Sequence, residues 1–153
     1  MRLALFEPDQ AGNVGTIIRL AACLGLPLDI VEPCGFAFSD RALKRAGMDY
    51  AEIANVTRRT GWDAFAASVP ARLVLFTTGG DTPLPAARFD PGDTLLFGSE
   101  SRGAPEAVHA RADLRVRIPQ APGTRSLNLA VAAGIAAAEA LRQTGAWPRY
   151  DHA

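Results

Sequence analysis

Short apolar runs alternate with helical segments along the whole chain, and this alternation constrains the fold more than any other feature. The runs are three to five residues long, and most end at proline or glycine, as buried strands do. Between them lie segments whose apolar residues recur with the period of a helix. Strands that alternate with helices favour a parallel sheet with helices on both faces. We therefore expect an α/β fold, with residues 1–153 forming a single domain.

The same patterns predict where the elements lie. Strands are expected at residues 3–6, 27–31, 53–56, 73–77, 95–97 and 115–118. Helices are expected at residues 13–24, from Asp40 to Gly47, at 62–67, around 106–110, and from near Ser126 to about 143, with Ser126 as N-cap. Residues 81–93 contain three prolines and predict an irregular connection.

Charge and cysteine content exclude several kinds of protein. Sixteen basic and sixteen acidic residues give zero net charge, so an RNA or DNA partner would need a local basic face. Cys23 and Cys34 lie apart from other cysteines and from clustered histidines, and we expect neither a metal site nor a disulfide framework. We find no leader-like start and no uncharged apolar run of about 18 residues, which favours a cytoplasmic protein without a membrane segment.

Residues 95–128 carry the strongest indication of a binding site. Two predicted strands in this segment each run into a loop rich in glycine or proline, and the second loop leads into the final helix. In α/β proteins, loops that follow neighbouring parallel strands build pockets from backbone amides and carbonyls. Such pockets commonly hold nucleotide-like ligands. The segment therefore predicts a nucleotide-like ligand without indicating a reaction.

Polar residues occur at three places where such a pocket could use them. Asn13 and Arg19 lie on the first helix, where they could bind a ligand, or simply cap the helix and reach solvent. Glu100 lies between Gly98 and Gly103 after a strand, in a ligand loop or a plain polar turn. The last group is Ser126-Leu127-Asn128, which could bind an anion or only cap the final helix.

Together these three groups resemble the motifs of the SPOUT superfamily of RNA methyltransferases. The similarity is greatest to the small tRNA (cytidine/uridine-34-2'-O)-methyltransferases of the TrmL or YibK type, and it spans nearly the whole chain. Supporting stretches are LFEPDQAGNVGTIIRLA, IVEPCGFAFSDRALKRAGMDY, LLFGSESRG and RIPQAPGTRSLNLAVA. The resemblance implies a C-terminal trefoil knot, S-adenosylmethionine as methyl donor, a tRNA substrate, and a homodimer whose active site uses both subunits.

The resemblance also assigns roles to residues by their position in the motifs. Those expected near the adenosine or methionine part of the donor are Phe76, Gly98, Ile118, Ser126 and Leu127. Those expected to act in catalysis are Asn13, Arg19, Glu100, Ser126 and Asn128. Arg19 matches the family's usual candidate for the base, but an arginine pKa above about 12 makes a neutral guanidine costly. We therefore expect Arg19 to clamp the phosphate and ribose of the RNA.

RNA binding is expected at the densest basic cluster, which a dimer would present twice. Its members are Arg41, Lys44, Arg45, Arg58 and Arg59. Two other functions remain open at this point. One is the same chemistry on another tRNA position or on ribosomal RNA, and the other is a non-catalytic module that binds adenosine or RNA.

Overall fold

A computed structural model describes residues 1–39, 41, 50 and 53–149 of the protein. The strands are β1 (Arg2–Phe6), β2 (Leu28–Val31), β3 (Val56–Arg59), β4 (Leu73–Phe76), β5 (Thr82–Pro83), β6 (Thr94–Phe97) and β7 (Leu114–Arg117). The α-helices of the described part are α1 (Ala11–Leu24), α2 (Trp62–Ser68), α3 (Glu106–Arg111) and α4 (Leu129–Thr144). A 3₁₀ turn covers Leu84–Ala86.

The strands form one parallel sheet in the order β3-β2-β1-β6-β4-β7-β5. Every pair in this sheet is parallel. Strand β1 lies inside the sheet, because Leu3 is paired with Leu28 on one side and with Leu95 on the other. The predicted α/β fold with a parallel sheet is confirmed.

Helices cover both faces of the sheet, because successive residues of a strand point to opposite faces. Leu3 and Leu5 of β1 pack in one hydrophobic cluster with residues of α1 and α4. Ala4 and Phe6, the alternate residues of the same strand, pack in a second cluster with residues of α2 and α3. Both layers of the core are therefore built on the same buried strands, and they hold the carboxyl ends of those strands in fixed positions.

Two of the sequence predictions are wrong in detail. A strand was expected at residues 53–56, but Ile53 and Ala54 lie in a turn whose amides both donate to the Tyr50 carbonyl, and β3 starts at Val56. Residues 81–93 were expected to be irregular, but they contain β5, a two-residue strand at the edge of the sheet. An edge strand tolerates proline because one side of its backbone needs no partner. The helix expected from Asp40 to Gly47 lies almost wholly outside the described residues.

Candidate active site

A cavity of about 530 Å³ lies beyond the carboxyl ends of β4, β6 and β7. Its walls come from the loops that follow these three strands, together with the start of α1 and the start of α4. Ligands of open parallel sheets bind at this edge. The volume is also in the range of pockets that hold cofactors, which run from about 300 to 1,000 Å³. The position and size both suit a nucleotide-like ligand.

All five residues that were expected near the donor line this cavity. They are Phe76, Gly98, Ile118, Ser126 and Leu127. Four of the five residues with an expected catalytic role line it as well, namely Asn13, Glu100, Ser126 and Asn128. The fold therefore brings together residues that are more than 100 positions apart in the sequence. Their individual roles stay predictions.

One wall of the cavity is aromatic. The rings of Phe76 and Phe97 stack with their centroids 5.1 Å apart and their planes 17° apart. Phe89 also stacks with Phe76, at 6.2 Å. Phe76 and Phe97 are only 7% and 2% exposed, so they give the cavity a rigid apolar edge, which suits a heterocycle such as adenine.

A chain of hydrogen bonds joins three distant segments at the opposite wall. Asn13 Nδ2 donates to Glu100 Oε1 at 3.1 Å, and Asn13 Oδ1 accepts from Asn128 Nδ2 at 2.9 Å. Asn128 Oδ1 in turn accepts from the backbone amides of Ala130 and Val131. Asn13 is only 9% exposed, whereas Glu100 is partly exposed and Asn128 is exposed. Hydrogen-bonded side-chain networks rigidify a site, and the bonds through Asn13 hold these three side chains in place.

The N-cap of the final helix differs from the expected one. Asn128 caps α4, which begins at Leu129. Ser126, the residue predicted to do so, lies in the preceding loop, where it is exposed and lines the cavity. Both residue types are good caps, so local sequence does not choose between them. The hydrogen bond from Asn128 to Asn13 favours a start of α4 at Leu129.

Gly98 allows the loop after β6 to fold tightly against itself. The loop closes through two backbone hydrogen bonds between Ser99 and Gly103, of 3.0 and 2.8 Å. A Cβ atom at Gly98 would lie 2.5 Å from the carbonyl carbon of Gly103. No larger residue fits here without a backbone shift, so Gly98 fixes the shape of the cavity as well as its lining.

Arg19 lies away from the cavity. Its side chain is exposed on α1, and its guanidinium carbon lies 5.2 Å from the centroid of the Tyr50 ring. A cation over an aromatic face at this distance is weakly attracted, by about 0.5–1 kcal/mol at an exposed site. The structure of one chain therefore does not bring Arg19 together with the other expected catalytic residues.

The expected RNA-binding cluster is only partly visible. Arg41 is exposed, whereas Lys44 and Arg45 lie outside the described residues. Arg58 donates to Glu32 and lies 4.3 Å from the Phe38 ring centroid, and Arg59 Nε donates to Asp29 Oδ1 at 2.7 Å. These two arginines already have protein partners.

Asp29 explains the position of Arg59. The Asp29 carboxylate is 2% exposed and also accepts from Arg2 Nη1 at 2.8 Å, so it links β1, β2 and β3. A buried carboxylate needs such partners. The contact gives Arg59 a role within the sheet, and its contribution to RNA binding stays a prediction.

Sequence reasoning missed Asp9, which lies between β1 and α1. Its carboxylate accepts hydrogen bonds from the hydroxyls of Ser99 and Ser101. These bonds, above all that from Ser101, lower the pKa of Asp9 below its ordinary value although burial opposes the shift. One signal was available, since Asp9 follows the end of a buried strand at the same edge of the sheet as Glu100.

The thiol of Cys34 also has a perturbed pKa. Burial, with a further contribution from the negative charge of Glu32, raises the pKa of Cys34 to about 11.

In the part of the chain that the structure describes, no three histidine, cysteine, aspartate or glutamate side chains are grouped so as to hold a metal ion. No helix among those residues is long and apolar enough to cross a membrane.

Comparison with known proteins identifies the family. A model of the SpoU rRNA methylase family matches residues 1–138. The chain belongs to this family. A tRNA (cytidine(34)-2'-O)-methyltransferase of Beijerinckia indica is 51% identical over 147 residues, which cover 94% of this chain and 92% of that protein. The protein of the same name from Escherichia coli K12 is 43% identical over 95% of this chain and 94% of its own length. The resemblance drawn from the sequence motifs is confirmed.

Solved structures of family members have the same fold. One, described as giving structural insights into the 2-OH methylation of C/U34 on tRNA, has a TM-score of 0.88 and 46% identity, and the match covers 93% of this chain and 94% of that one. Another is the SpoU methyltransferase AviRb from Streptomyces viridochromogenes in complex with AdoMet, with a TM-score of 0.82 and 28% identity over 94% of this chain and 60% of that one. The cavity described above, with its aromatic wall and backbone-lined loops, fits S-adenosylmethionine, the donor that this family uses.

Proposed function

We propose that the protein transfers the methyl group of S-adenosylmethionine to the ribose 2'-hydroxyl at position 34 of tRNA, where the nucleoside is cytidine or a modified uridine. The observation that carries this proposal is the cavity at the carboxyl edge of the sheet, where Asn13, Glu100 and Asn128 form one bonded wall. Relatives named for this reaction match the chain almost from end to end. The tRNA substrate also implies that the protein works in the cytoplasm.

The donor would lie among the loops that follow β4, β6 and β7. S-adenosylmethionine supplies an electrophilic methyl group on its sulfonium when it is bound. Phe76 offers an apolar edge to the adenine, while the backbone around Gly98, Ile118 and Leu127 offers donors and acceptors to the polar groups. Ser126 is exposed on the cavity wall and has a hydroxyl free to turn toward the donor.

The polar residues would position the acceptor ribose and control its charge. An in-line approach of the 2'-oxygen requires the ribose to be held rigidly, and such positioning supplies a large part of the acceleration. Asn13, Glu100 and Asn128 are suited to this because each is already fixed by the others. Arg19 would clamp the ribose and a neighbouring phosphate with its planar guanidinium, and it would stay charged throughout.

Arg19 needs a second copy of the chain to reach a cavity, and α4 provides a surface for that copy. Leu127, Val131 and Ile135 are 37%, 51% and 38% exposed, and their spacing of four residues places the last two on one face of α4. Helix α4 packs beside α1, which carries Arg19. A homodimer that covers this apolar face would bring Arg19 of each copy toward the cavity of the other.

The fold of residues 1–153 would be completed by a trefoil knot at the C-terminal end. The proposal is supported by the match of the fold to family members and by the order of the last strands, in which β6 lies between β1 and β4 and β7 lies beyond β4. The loops after β6 and β7, which line the cavity, would be the loops of the knot. We propose that the chain forms one domain.

Methyl transfer to defined tRNA tests the substrate. Purified protein is incubated with S-adenosylmethionine labelled in its methyl group and with tRNA that carries cytidine 34. We expect one labelled 2'-O-methyl group at position 34, and none when that single residue is replaced by its 2'-deoxy form. A matched tRNA with a 2'-deoxy residue at position 32 should remain a substrate, because its acceptor hydroxyl is intact.

The alternatives give different outcomes in the same assay. Label that persists in the tRNA with 2'-deoxy residue 34 would show that another position of the tRNA is methylated. Label found only in ribosomal RNA would show that ribosomal RNA is the substrate. Donor binding without transfer to any RNA would indicate a binding module. In cells, loss of 2'-O-methylation at the wobble nucleoside of a deletion strain, measured by mass spectrometry of tRNA nucleosides, is the expected result.

A further inference from the structure

Asp9 gathers three hydrogen bonds on one carboxylate oxygen. Its Oδ2 accepts from Ser99 Oγ at 2.8 Å, from the Ser101 backbone amide at 3.2 Å, and from the Ser101 hydroxyl. All three donors belong to the loop after β6 and are about 90 positions away in the sequence. An ionised carboxylate accepts such bonds more strongly than a neutral group does. Asp9 therefore anchors this loop to the segment between β1 and α1.

The anchored residues lie on both sides of Glu100. The side chain of Glu100 is held by the same segment, because its Oε2 accepts from the Asp9 backbone amide at 2.8 Å and its Oε1 accepts from Asn13 Nδ2. Ser99 and Glu100 line the cavity, whereas Asp9 does not. Asp9 thus acts on the cavity only through the loop that it holds.

A glycine supports Asp9 from its other side. The Gly35 amide donates to the Pro8 carbonyl at 2.9 Å, which ties the loop after β2 to this segment. A Cβ atom at Gly35 would lie 2.5 Å from Asp9 Cβ and 2.8 Å from its Cα. Because these contacts are with the backbone and the first side-chain atom, a larger residue at position 35 would have to displace Asp9.

We propose that Asp9 is a positioning residue of the donor pocket, whose carboxylate fixes the 99–103 loop so that Glu100 faces the cavity. The inference deepens the proposed function and rests on it for the identity of the ligand. Asp9 contacts neither the donor nor the RNA in this arrangement. Loss of the Asp9 carboxylate should leave the sheet intact and allow the 99–103 loop to shift slightly.

Donor binding by the full-length protein tests the inference without RNA. Calorimetry with S-adenosylmethionine is carried out on the unchanged protein, Asp9→Ala and Asp9→Asn. We expect Asp9→Ala to weaken donor binding by about 10- to 100-fold, because hydrogen bonds to a charged group are lost from the loop that shapes the pocket. Asp9→Asn should lose less, because its amide oxygen can still accept from the two hydroxyls. Asp63→Asn, a change at an exposed position in the first turn of α2, is the matched control and should bind normally.

Gly35→Ala provides an independent route to the same result. Gly35→Ala keeps the Asp9 carboxylate but displaces it, so it should weaken donor binding in the same way as Asp9→Ala. Combining Gly35→Ala with Asp9→Ala should add little further loss, because both act through the same contact. Affinity of these variants for tRNA should stay within about twofold of the unchanged protein, which a general loss of folding would not allow.

Normal donor binding by Asp9→Ala would overturn the inference, and so would equal losses in Asp9→Asn and Asp63→Asn. If Asp9→Ala does not fold, Gly35→Ala and Asp9→Asn decide the question by the same binding measurement. A protein that binds S-adenosylmethionine through Asp9 but methylates no tRNA would contradict the proposed substrate and leave the role of Asp9 supported. Failure of the role of Asp9 and failure of the proposed substrate can therefore be told apart.

Discussion

The donor cavity and the outer face formed by α1 and α4 differ in how completely the contacts of their side chains are made within one chain. At the cavity, Glu100, Asn13 and Asn128 each bond to another member of the wall. On the outer face, the exposed side chain of Arg19 lies over the Tyr50 ring, and Val131 is half exposed to solvent. The difference indicates that the donor half of the site is built by a single chain. We propose that the acceptor half is completed by another molecule.

The largest expected effect comes from closing the cavity from within. Gly98→Ala should abolish donor binding and methyl transfer together, because its Cβ would meet the backbone of Gly103 at 2.5 Å. Calorimetry with S-adenosylmethionine measures the first effect, and transfer of labelled methyl measures the second. Gly61→Ala is the control, since a Cβ at that position, just before α2, meets no atom within 4 Å. Normal binding by Gly98→Ala would show that the loop does not shape the donor site.

Arg19→Ala should impair methyl transfer without affecting donor binding. We expect donor binding to be unchanged, and single-turnover transfer at saturating tRNA to fall by about 100- to 1,000-fold, as is typical when one charge-stabilising group is removed. Arg19→Lys should recover only part of the activity, because an ammonium group cannot make the bidentate contact of a guanidinium. Near-normal transfer by Arg19→Ala would refute both a clamp and a base at this position.

A charge introduced on the outer face should also reduce methyl transfer, but by less than Arg19→Ala does. Val131→Glu places a carboxylate on the apolar face of α4, and we expect light scattering to show monomers where the unchanged protein forms dimers. Transfer should fall by at least about tenfold with donor binding retained, since a buried unpaired charge costs several kcal/mol. Ala146→Glu, at an exposed position just beyond α4, should leave the dimer intact. A monomeric unchanged protein with full activity would contradict the composite site.

The two cysteines report on the loop after β2, which packs on the Asp9 segment, and on the outer face. Near pH 8, Cys34 should be alkylated slowly, because a pKa of about 11 leaves it with about 100-fold less thiolate than a thiol with the ordinary pKa of 9.0. Its rate should rise about tenfold per pH unit until the pH approaches 11, since the thiolate is the reactive form. Cys23 is exposed on α1 and should react faster in monomeric Val131→Glu than in the dimer. Mass spectrometry of peptides after timed alkylation measures both.

Sequence predicted the parts of the fold that rest on strong local patterns. Strands β1 and β4 are apolar at every buried position, β2 and β6 are so at all but Asp29 and Thr94, and the structure places all four within two residues of the expected bounds. Strand β3 was misplaced because three of its four residues are polar and it lies at the edge of the sheet. Strand β5 has only two residues, and it is defined by pairing with β7 rather than by its own sequence.

The site was predictable where a residue lies at or shortly after the end of a predicted strand. Gly98, Glu100 and Ile118 do so, and their positions at the cavity follow from the parallel sheet. Asp9 was missed because the groups that give it a role, Ser99 and Ser101, are about 90 residues away. The choice of Asn128 over Ser126 as the cap likewise depends on a distant partner. Local sequence carries no information on such contacts until the fold is known.

The hydrogen bond between Asn13 and Asn128 joins residues that are 115 positions apart. During synthesis at about 5–20 residues per second, the first residue must wait roughly 6–23 s for its partner to be made. Strand β1 also waits for β6 before both of its edges are paired. A nascent chain therefore cannot hold the donor until almost its whole length has left the ribosome, and the enzyme acquires its cofactor site as one of the last events of its own synthesis.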